Sequence, residues 1–188
     1  QGMQSMMTLR DFILSFTQLI DRAIDEEDII FTEGQLLLAN LISCDDWLPE
    51  KYTESDPEHY RQYLLYCDPM ERFSVASFVW SAGQSTPIHD HTVWGMVGVL
   101  KGEERYEQFN LDPSTGVVRS TGTYHLLKGE TCSVSPRIGD IHSVANASTD
   151  QNSISIHVYG GNIGKIQRQI YDRNSNARKE FISGYSNQ

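Results

Sequence analysis

Apolar residues in the first fifty positions recur with helical spacing. Leu9, Phe12, Ile13, Phe16, Leu19, Ile20 and Ala23 fall on one stripe, which predicts a helix from Thr8 to about Ala23. A second helix is predicted from near Thr32 to Ser43, with Leu36, Leu37, Leu38, Leu41 and Ile42 as its apolar face. Asp45-Asp46 is expected to cap a short third helix that stops at Pro49, and Asp56-Pro57 starts a turn. The texture then changes. Phe73–Trp80 is rich in β-branched and aromatic residues and ends at Gly83. Further short strand-like runs follow at 94–100, 104–110, 116–120, 124–127, 131–134, 141–145 and 153–159. After Gly160 the tail carries two more, at 166–171 and 181–185. Many short strands punctuated by Gly, Pro, Asn and Asp predict a β-sandwich or barrel. With 188 residues, one domain is expected: a helical lead-in over about 8–58, a barrel core over about 70–160 and a C-terminal segment over 161–188. There is no internal repeat.

Charge narrows the partners. The net charge is −10 and Lys and Arg form no cluster, which argues against nucleic acid and anionic membranes. Apolar stretches fall far short of the roughly 20 residues needed to span a bilayer. No leader pattern opens the chain: Gln1-Gly2 reads as a remnant ahead of several candidate initiator methionines. Cys44, Cys67 and Cys132 are odd in number and share no tight spacing, which points to a reducing cytoplasm rather than a disulfide framework. Cys67 and Cys132 read as buried small residues.

Six histidines carry the candidate chemistry: His59, His89, His91, His125, His142 and His157. His89 and His91 flank Asp90, and on an extended strand alternate side chains share a face, so both imidazoles can address one metal ion. Such a pair alone is as readily a surface or core feature. A third ligand must come from elsewhere, and His142, after Gly139-Asp140 at the start of a predicted strand, is best placed. His125 reads as a packed or solvent-facing strand residue and His59 as structural or exposed. Asp90 is expected to face away from the metal and pair outside the barrel.

The glycines around these histidines carry a resemblance. Gly83-x5-His89-x-His91-x3-Gly95-x6-Gly102 resembles the first cupin motif, except that Gly95 stands where glutamate is usual. Gly129-x6-Pro136-x2-Gly139-x2-His142-x3-Asn146 resembles the second, with one extra residue in each of the first two gaps. The resemblance implies a mainly β fold, a cupin barrel of the double-stranded β-helix type behind an N-terminal helical segment. With Gly95 in place of the carboxylate, three neutral imidazoles would leave ferrous iron its full charge and open positions, which suits a soft thiolate ligand.

That constellation resembles the cysteine dioxygenase (type I), or thiol dioxygenase, family. Its members add both atoms of O2 to a small thiol on one Fe(II) ion. The resemblance implies His89, His91 and His142 as metal ligands and Ser155, His157 and Tyr159 as the catalytic triad beside the iron. Alternation puts these last three on one face of a strand and Ile156 and Val158 on the other. Gly95 stands where animal members carry a cysteine crosslinked to the tyrosine, so Tyr159 is expected to remain a plain phenol. Tyr60-Arg61-Gln62 stands where cysteine-using members carry Tyr-x-Arg, and glutamine cannot form the bidentate pair that Arg makes with a carboxylate. Bacterial members of the Gln type resemble 3-mercaptopropionate dioxygenases, and in that subgroup an arginine late in the chain holds the substrate carboxylate. Arg168 is the matching residue, with Gln62 and Tyr60 completing the substrate contacts; a solvated surface charge is the plainer reading of Arg168, and Arg61 reads as surface. The implied activity is oxidation of 3-mercaptopropionate, with cysteine as the alternative substrate. A non-oxidative metal cupin on zinc, nickel or manganese and a ligand-binding cupin without catalysis stand as the other classes.

Overall fold

The computed structural model describes residues 7–188; the reading of Gln1-Gly2 lies outside them. Helix α1 (Leu9–Ala23) starts where its N-cap dictates. The Thr8 side chain accepts from the Asp11 N–H and the Asp11 carboxylate accepts from the Thr8 N–H, both at 3.1 Å, a reciprocal capping box. Its stripe buries Phe12, Phe16, Leu19, Ile20 and Ala23.

Helix α2 (Glu27–Leu41) begins five residues before Thr32. Glu27 and Asp28 in its first turn favour that start by complementing the helix dipole. Its buried face is Ile30, Gly34, Leu38 and Leu41, while Leu36, expected inside, is 70% exposed. Gly34 explains the difference. A glycine carries no hydrophobic signal, yet a Cβ there would lie 2.8 Å from the Met96 methyl, so this face lets a strand side chain press against the helix. The expected third helix does not form. Residues 46–47 make a turn, and a 3-10 turn, Glu50–Tyr52, follows Pro49. The Trp47 indole N–H reaches back to the Leu41 and Cys44 carbonyls at 2.9 and 2.7 Å, which satisfies the end of α2 with a side chain.

Apart from a second 3-10 turn, Ile163–Lys165, the rest of the described chain is strand and loop. Strands β1 (Arg61–Cys67), β2 (Ser74–Trp80), β4 (Gly95–Lys101), β7 (Thr131–Val134) and β9 (Ser153–Tyr159) form one sheet in the order β1-β2-β9-β4-β7. Strands β3 (Ile88–His89), β5 (Glu103–Leu111), β6 (Val118–Leu127), β8 (Ile141–Asn146), β10 (Arg168–Tyr171) and β11 (Arg178–Phe181) form the second, β11-β10-β3-β8-β5-β6. The fold is mainly β, a double-stranded β-helix of the cupin type with two N-terminal helices. No helix among the described residues is long and apolar enough to cross a membrane.

Three departures from the alternation have local causes. β1 lacks clean alternation because its pairing with β2 slips between Leu64 and Tyr66. The runs 116–120 and 124–127 are one strand, β6, kept continuous through a slip opposite Gln108 and Phe109 at which Gly122 takes φ +153°. The last strand ends at Phe181 rather than Tyr185, because Gly184 turns the chain at φ +61°.

Strands β2 and β9 are buried along their whole length. Their outward residues, among them Val75, Val79, Ile156 and Val158, pack with Phe12, Phe16, Leu38 and Ile42 of the helical layer. Their inward residues, among them Phe78, Trp80 and Tyr159, join Val97, Val99, Tyr106 and Val144 inside the barrel. The closest seam between layers is Gly98 on β4, where a Cβ would lie 2.7 Å from the Ile42 Cδ1 and 3.2 Å from the Leu38 Cγ. Gly98→Val is therefore expected to lift α2 from the sheet and lower stability by about 1–3 kcal/mol, read as a reduced midpoint in urea denaturation.

Candidate metal centre and cavity

His89 lies on β3, His91 two residues beyond it and His142 on β8, where His142 pairs with His89 across the sheet. One ligand atom from each falls within 4.8 Å of the others. The rings meet at steep angles, 66° to 85°, with centroids 4.6–4.9 Å apart, so edges rather than faces converge. All three are buried. Burial, reinforced by the neighbouring imidazoles, holds His89 and His142 well below the ordinary histidine pKa, so both present neutral nitrogens.

The outer nitrogens fix the tautomers. His89 Nδ1 sits 2.8 Å from the Pro87 carbonyl and His91 Nδ1 2.9 Å from the Asp140 carbonyl. An N–H at each Nδ1 leaves each Nε2 lone pair free to face the common centre. Asp140 does more: Oδ1 lies 3.2 Å from the same His91 nitrogen, and Oδ2 accepts from the Thr92 N–H at 2.9 Å. Burial acts to raise the Asp140 pKa, but His91 and the Thr92 N–H outweigh it and the carboxyl stays ionised. Buried polar atoms are ordinarily paired, yet His91 Nε2 and His142 Nδ1 have no hydrogen-bond partner among the described residues. Buried imidazoles gathered around one point, two of them with an unpaired nitrogen, fit a divalent transition metal.

Beside this group, β9 presents a polar chain. Ser155 Oγ is 2.8 Å from His157 Nε2, and His157 Nδ1 is 2.7 Å from the Tyr159 hydroxyl. All three are buried, the His157 ring stacks on Phe78 at 3.9 Å, and the Tyr159 ring stacks on His91 at 5.6 Å. Burial depresses the His157 pKa and raises that of Tyr159, so both are neutral.

These groups border one cavity of about 250 Å³, lined among others by His89, His142, His157, Tyr159, Gln62 and Arg168. Tyr60 also lines it, packed on Phe78 and Trp80 with ring centroids 6.3 and 6.0 Å away. Arg168 is only 5% exposed, so it is no solvated surface charge. Its guanidinium donates to the Asp90 carbonyl at 3.2 Å and to Ser183 Oγ at 3.3 Å and lies 4.7 Å from the Phe181 ring centre, while Nε has no partner. Burial lowers its pKa, and no carboxylate pairs with it among the described residues.

The other candidates fall where their chemistry allows. Arg61 pairs with Asp56 at the surface. Asp90 turns to β10, accepting from the Gln169 N–H at 2.9 Å and the Tyr171 hydroxyl at 3.0 Å. His125 is exposed and pairs with Glu103 at 2.8 Å. His59 is exposed at the cavity rim. Cys67 and Cys132 are half-buried rather than buried.

The sequence model of the cysteine dioxygenase type I family matches residues 4–174. The chain belongs to the cysteine dioxygenase type I family. Membership supports thiol dioxygenase activity, an oxidoreductase reaction on a small thiol, and the three-histidine group is present to hold a metal. Among solved structures, the chain is similar to an uncharacterized conserved protein with a double-stranded beta-helix domain from Klebsiella pneumoniae, at 22% identity and TM-score 0.47 over 60% of this chain and 87% of that one. It is also similar to a cupin superfamily protein from Desulfitobacterium hafniense, at 14% identity and TM-score 0.43 over 58% and 84%.

Family motifs do not show the supporting residues of this site. Asp140 is visible only as a motif neighbour, although Gly139-Asp140, one residue short of His142, is a usable signal. Ser183 gives none: it reaches Arg168 because the C-terminal chain folds back onto β1, where the Ser186 N–H donates to the Gln62 carbonyl at 2.7 Å and the Gln62 N–H to Ser186 Oγ at 2.8 Å. Removing an outer partner of a ligating histidine typically costs 10–100-fold in metal affinity. Asp140→Asn is expected to weaken iron(II) binding by about that factor, and His142→Ala to abolish stoichiometric binding, both read by metal analysis after chelator competition.

Proposed function

We propose that this protein is an iron(II) thiol dioxygenase of the reducing cytoplasm whose preferred substrate is a small thiol carboxylate, 3-mercaptopropionate ahead of cysteine. One observation carries the reading: the three-histidine group, the Ser155–His157–Tyr159 chain and the buried guanidinium of Arg168 line or border one cavity. His89, His91 and His142 would hold the ferrous ion. Bound there, iron would supply the positions at which thiolate and dioxygen meet. Both oxygen atoms end on sulfur as a sulfinate, and the thiol proton is released.

The chain's own residues account for orientation. Arg168, buried without an acidic partner, would receive the substrate carboxylate as a charge-assisted pair. Gln62, 6% exposed and 3.5 Å from Ser183 Oγ through its amide nitrogen, adds a neutral polar edge and no second positive charge. That balance suits a substrate with one carboxylate and no ammonium group. Tyr159 would donate its hydroxyl proton to substrate or oxygen, with His157 and Ser155 fixing the phenol's direction. Trp80 and Phe78 give the cavity an apolar wall that suits a short methylene chain. Cysteine is the second reading, favoured by the family match itself.

The test is oxygen consumption by iron-loaded protein with 3-mercaptopropionate, L-cysteine and cysteamine. The expected order of kcat/KM places 3-mercaptopropionate first, and a preference for L-cysteine would overturn the substrate assignment. Arg168→Ala should lower kcat/KM for 3-mercaptopropionate about 10–100-fold while sparing cysteamine, which lacks a carboxylate. Tyr159→Phe should lower kcat with iron content unchanged; a wild-type rate would remove the phenol from the reaction. Iron or zinc bound without oxygen uptake on any thiol would favour the non-oxidative class.

A further inference from the structure

The chain beyond β11 lines the cavity at Ser183, Gly184 and Ser186, and it is anchored on both sides of Ser183. Before it, Phe181 pairs with Arg168 in the β10–β11 ladder. After it, Gly184 turns the chain at φ +61° and donates its N–H to the Gly164 carbonyl at 2.8 Å. Tyr185 is buried against the turn at Ile163–Lys165. Its hydroxyl accepts from the Gly164 N–H at 2.9 Å and donates to Asn162 Oδ1, and a Cβ at Gly164 would overlap its ring. Ser186 and Asn187 then cover β1, the edge strand of the first sheet. Ser186 pairs with the Gln62 backbone through its N–H and Oγ. The Asn187 amide accepts from the Leu64 N–H at 2.9 Å and donates to the Leu64 carbonyl at 3.0 Å.

Between these anchors Ser183 bridges the two sheets. Its Oγ accepts from Arg168 Nη2, on β10, at 3.3 Å and from Gln62 Nε2, on β1, at 3.5 Å, and its own proton goes to the Gly184 carbonyl at 3.2 Å. All three contacts are long, so each is readily exchanged for a stronger one. Arg168 is tied firmly at neither end. Nη1 donates to the Asp90 carbonyl at 3.2 Å, Nε has no partner among the described residues, and the hydrogen bond of Nη2 is the one to Ser183. The Nε–Nη2 edge, along which a guanidinium can grip a carboxylate with two parallel bonds, is therefore held by a neutral hydroxyl alone.

We propose that Ser183 is a specificity-determining residue, the hydroxyl that completes a carboxylate subsite with Arg168 and Gln62, and that Tyr185 is the positioning residue that holds it there. This assignment rests on the thiol carboxylate reading and deepens it. A carboxylate that displaces Ser183 Oγ from the guanidinium edge gains charge-assisted bonds from Nη2 and Nε, and the Gln62 amide converges on the same point. Ser183 then turns its proton from the Gly184 carbonyl to the carboxylate. The exchange gives up weak neutral bonds and gains charged ones, so it favours an anion. A thiol with a neutral end offers no such gain, and Ser183 stays in place as the acceptor. Carboxylate recognition is thereby divided among both sheets and the segment that joins them, rather than resting on Arg168 alone.

The test is the Kd of iron-loaded protein, held under nitrogen, for 3-mercaptopropionate and for ethanethiol, which lacks the carboxylate. Ser183→Ala should raise the Kd for 3-mercaptopropionate about tenfold and so lower the preference over ethanethiol by about the same factor. Ser183→Thr, which keeps the hydroxyl, should stay within about threefold of wild type. Tyr185→Phe, which loses both hydroxyl bonds, should also weaken 3-mercaptopropionate selectively, by about fivefold. In the double variant the two losses should overlap rather than multiply, because both act through one hydroxyl. A tyrosine with only a structural role would weaken both thiols alike. Ser183→Ala that leaves the preference unchanged would overturn the proposal, as would wild type that binds 3-mercaptopropionate no tighter than ethanethiol. Losses that multiply in the double variant would overturn the role of Tyr185. Oxygen uptake is scored separately: if the binding pattern holds and no thiol is oxidised, the dioxygenase reading fails and the subsite stands.

Discussion

Strand β9 is the constraint on which the architecture turns. Its seven residues are buried on both faces, and alternation gives those faces opposite chemistry. Ile154, Ile156 and Val158 face outward into an apolar layer with the helices, while Ser155, His157 and Tyr159 face inward. A strand with three polar side chains on one face cannot bury that face on hydrophobic grounds. The opposite face must supply the driving force, and here α1 and α2 supply it by covering the sheet. The N-terminal helices are thereby part of how the site is held, although none of their residues reaches the cavity. A slip of one residue in β9 would exchange the two faces, so its pairing with β2 and β4 over nearly its whole length fixes the site as much as the fold.

Inside the barrel, charge is scarce. The buried histidines that titrate low are neutral, Tyr159 is held protonated by burial, and Arg168 is the cation nearest the cavity. Desolvating a guanidinium without a carboxylate is unfavourable unless something anionic joins it. The carbonyl of Asp90, Ser183 and the ring of Phe181 compensate only in part. The same logic applies to the buried nitrogens of His91 and His142 that lack partners in the three-histidine group. A metal ion at one end of the cavity and an anionic substrate group at the other would satisfy both sets at once, and that complementarity is the physical argument for a ligand with two unlike ends.

The sequence made the ligand histidines and the β9 alternation legible because both are local. His-x-His and Ser-x-His-x-Tyr need only an extended backbone to point their side chains the same way. It made less of α2, since its packing face contains Gly34, and nothing of β1 as a regular strand, since a register slip breaks its alternation. Arg168 could be read equally as solvated surface until the chain beyond it was seen to fold back: its enclosure depends on Phe181 and Ser183, and that of Gln62 on Ser186, more than 120 residues away.

Gly95 shows how one absent side chain can serve two ends. It pairs with Tyr159 across the sheet, and a Cβ at that position would lie 2.7 Å from two carbons of the phenol ring. Glycine therefore brings neither a carboxylate to the histidines nor a methylene that would push the ring away. With no side chain at position 95, the ring settles against the β4 backbone and stacks on His91, and its hydroxyl meets His157 at 2.7 Å. Where a side chain at this position could hold the tyrosine covalently, this chain holds it by contact and by a hydrogen-bonded relay.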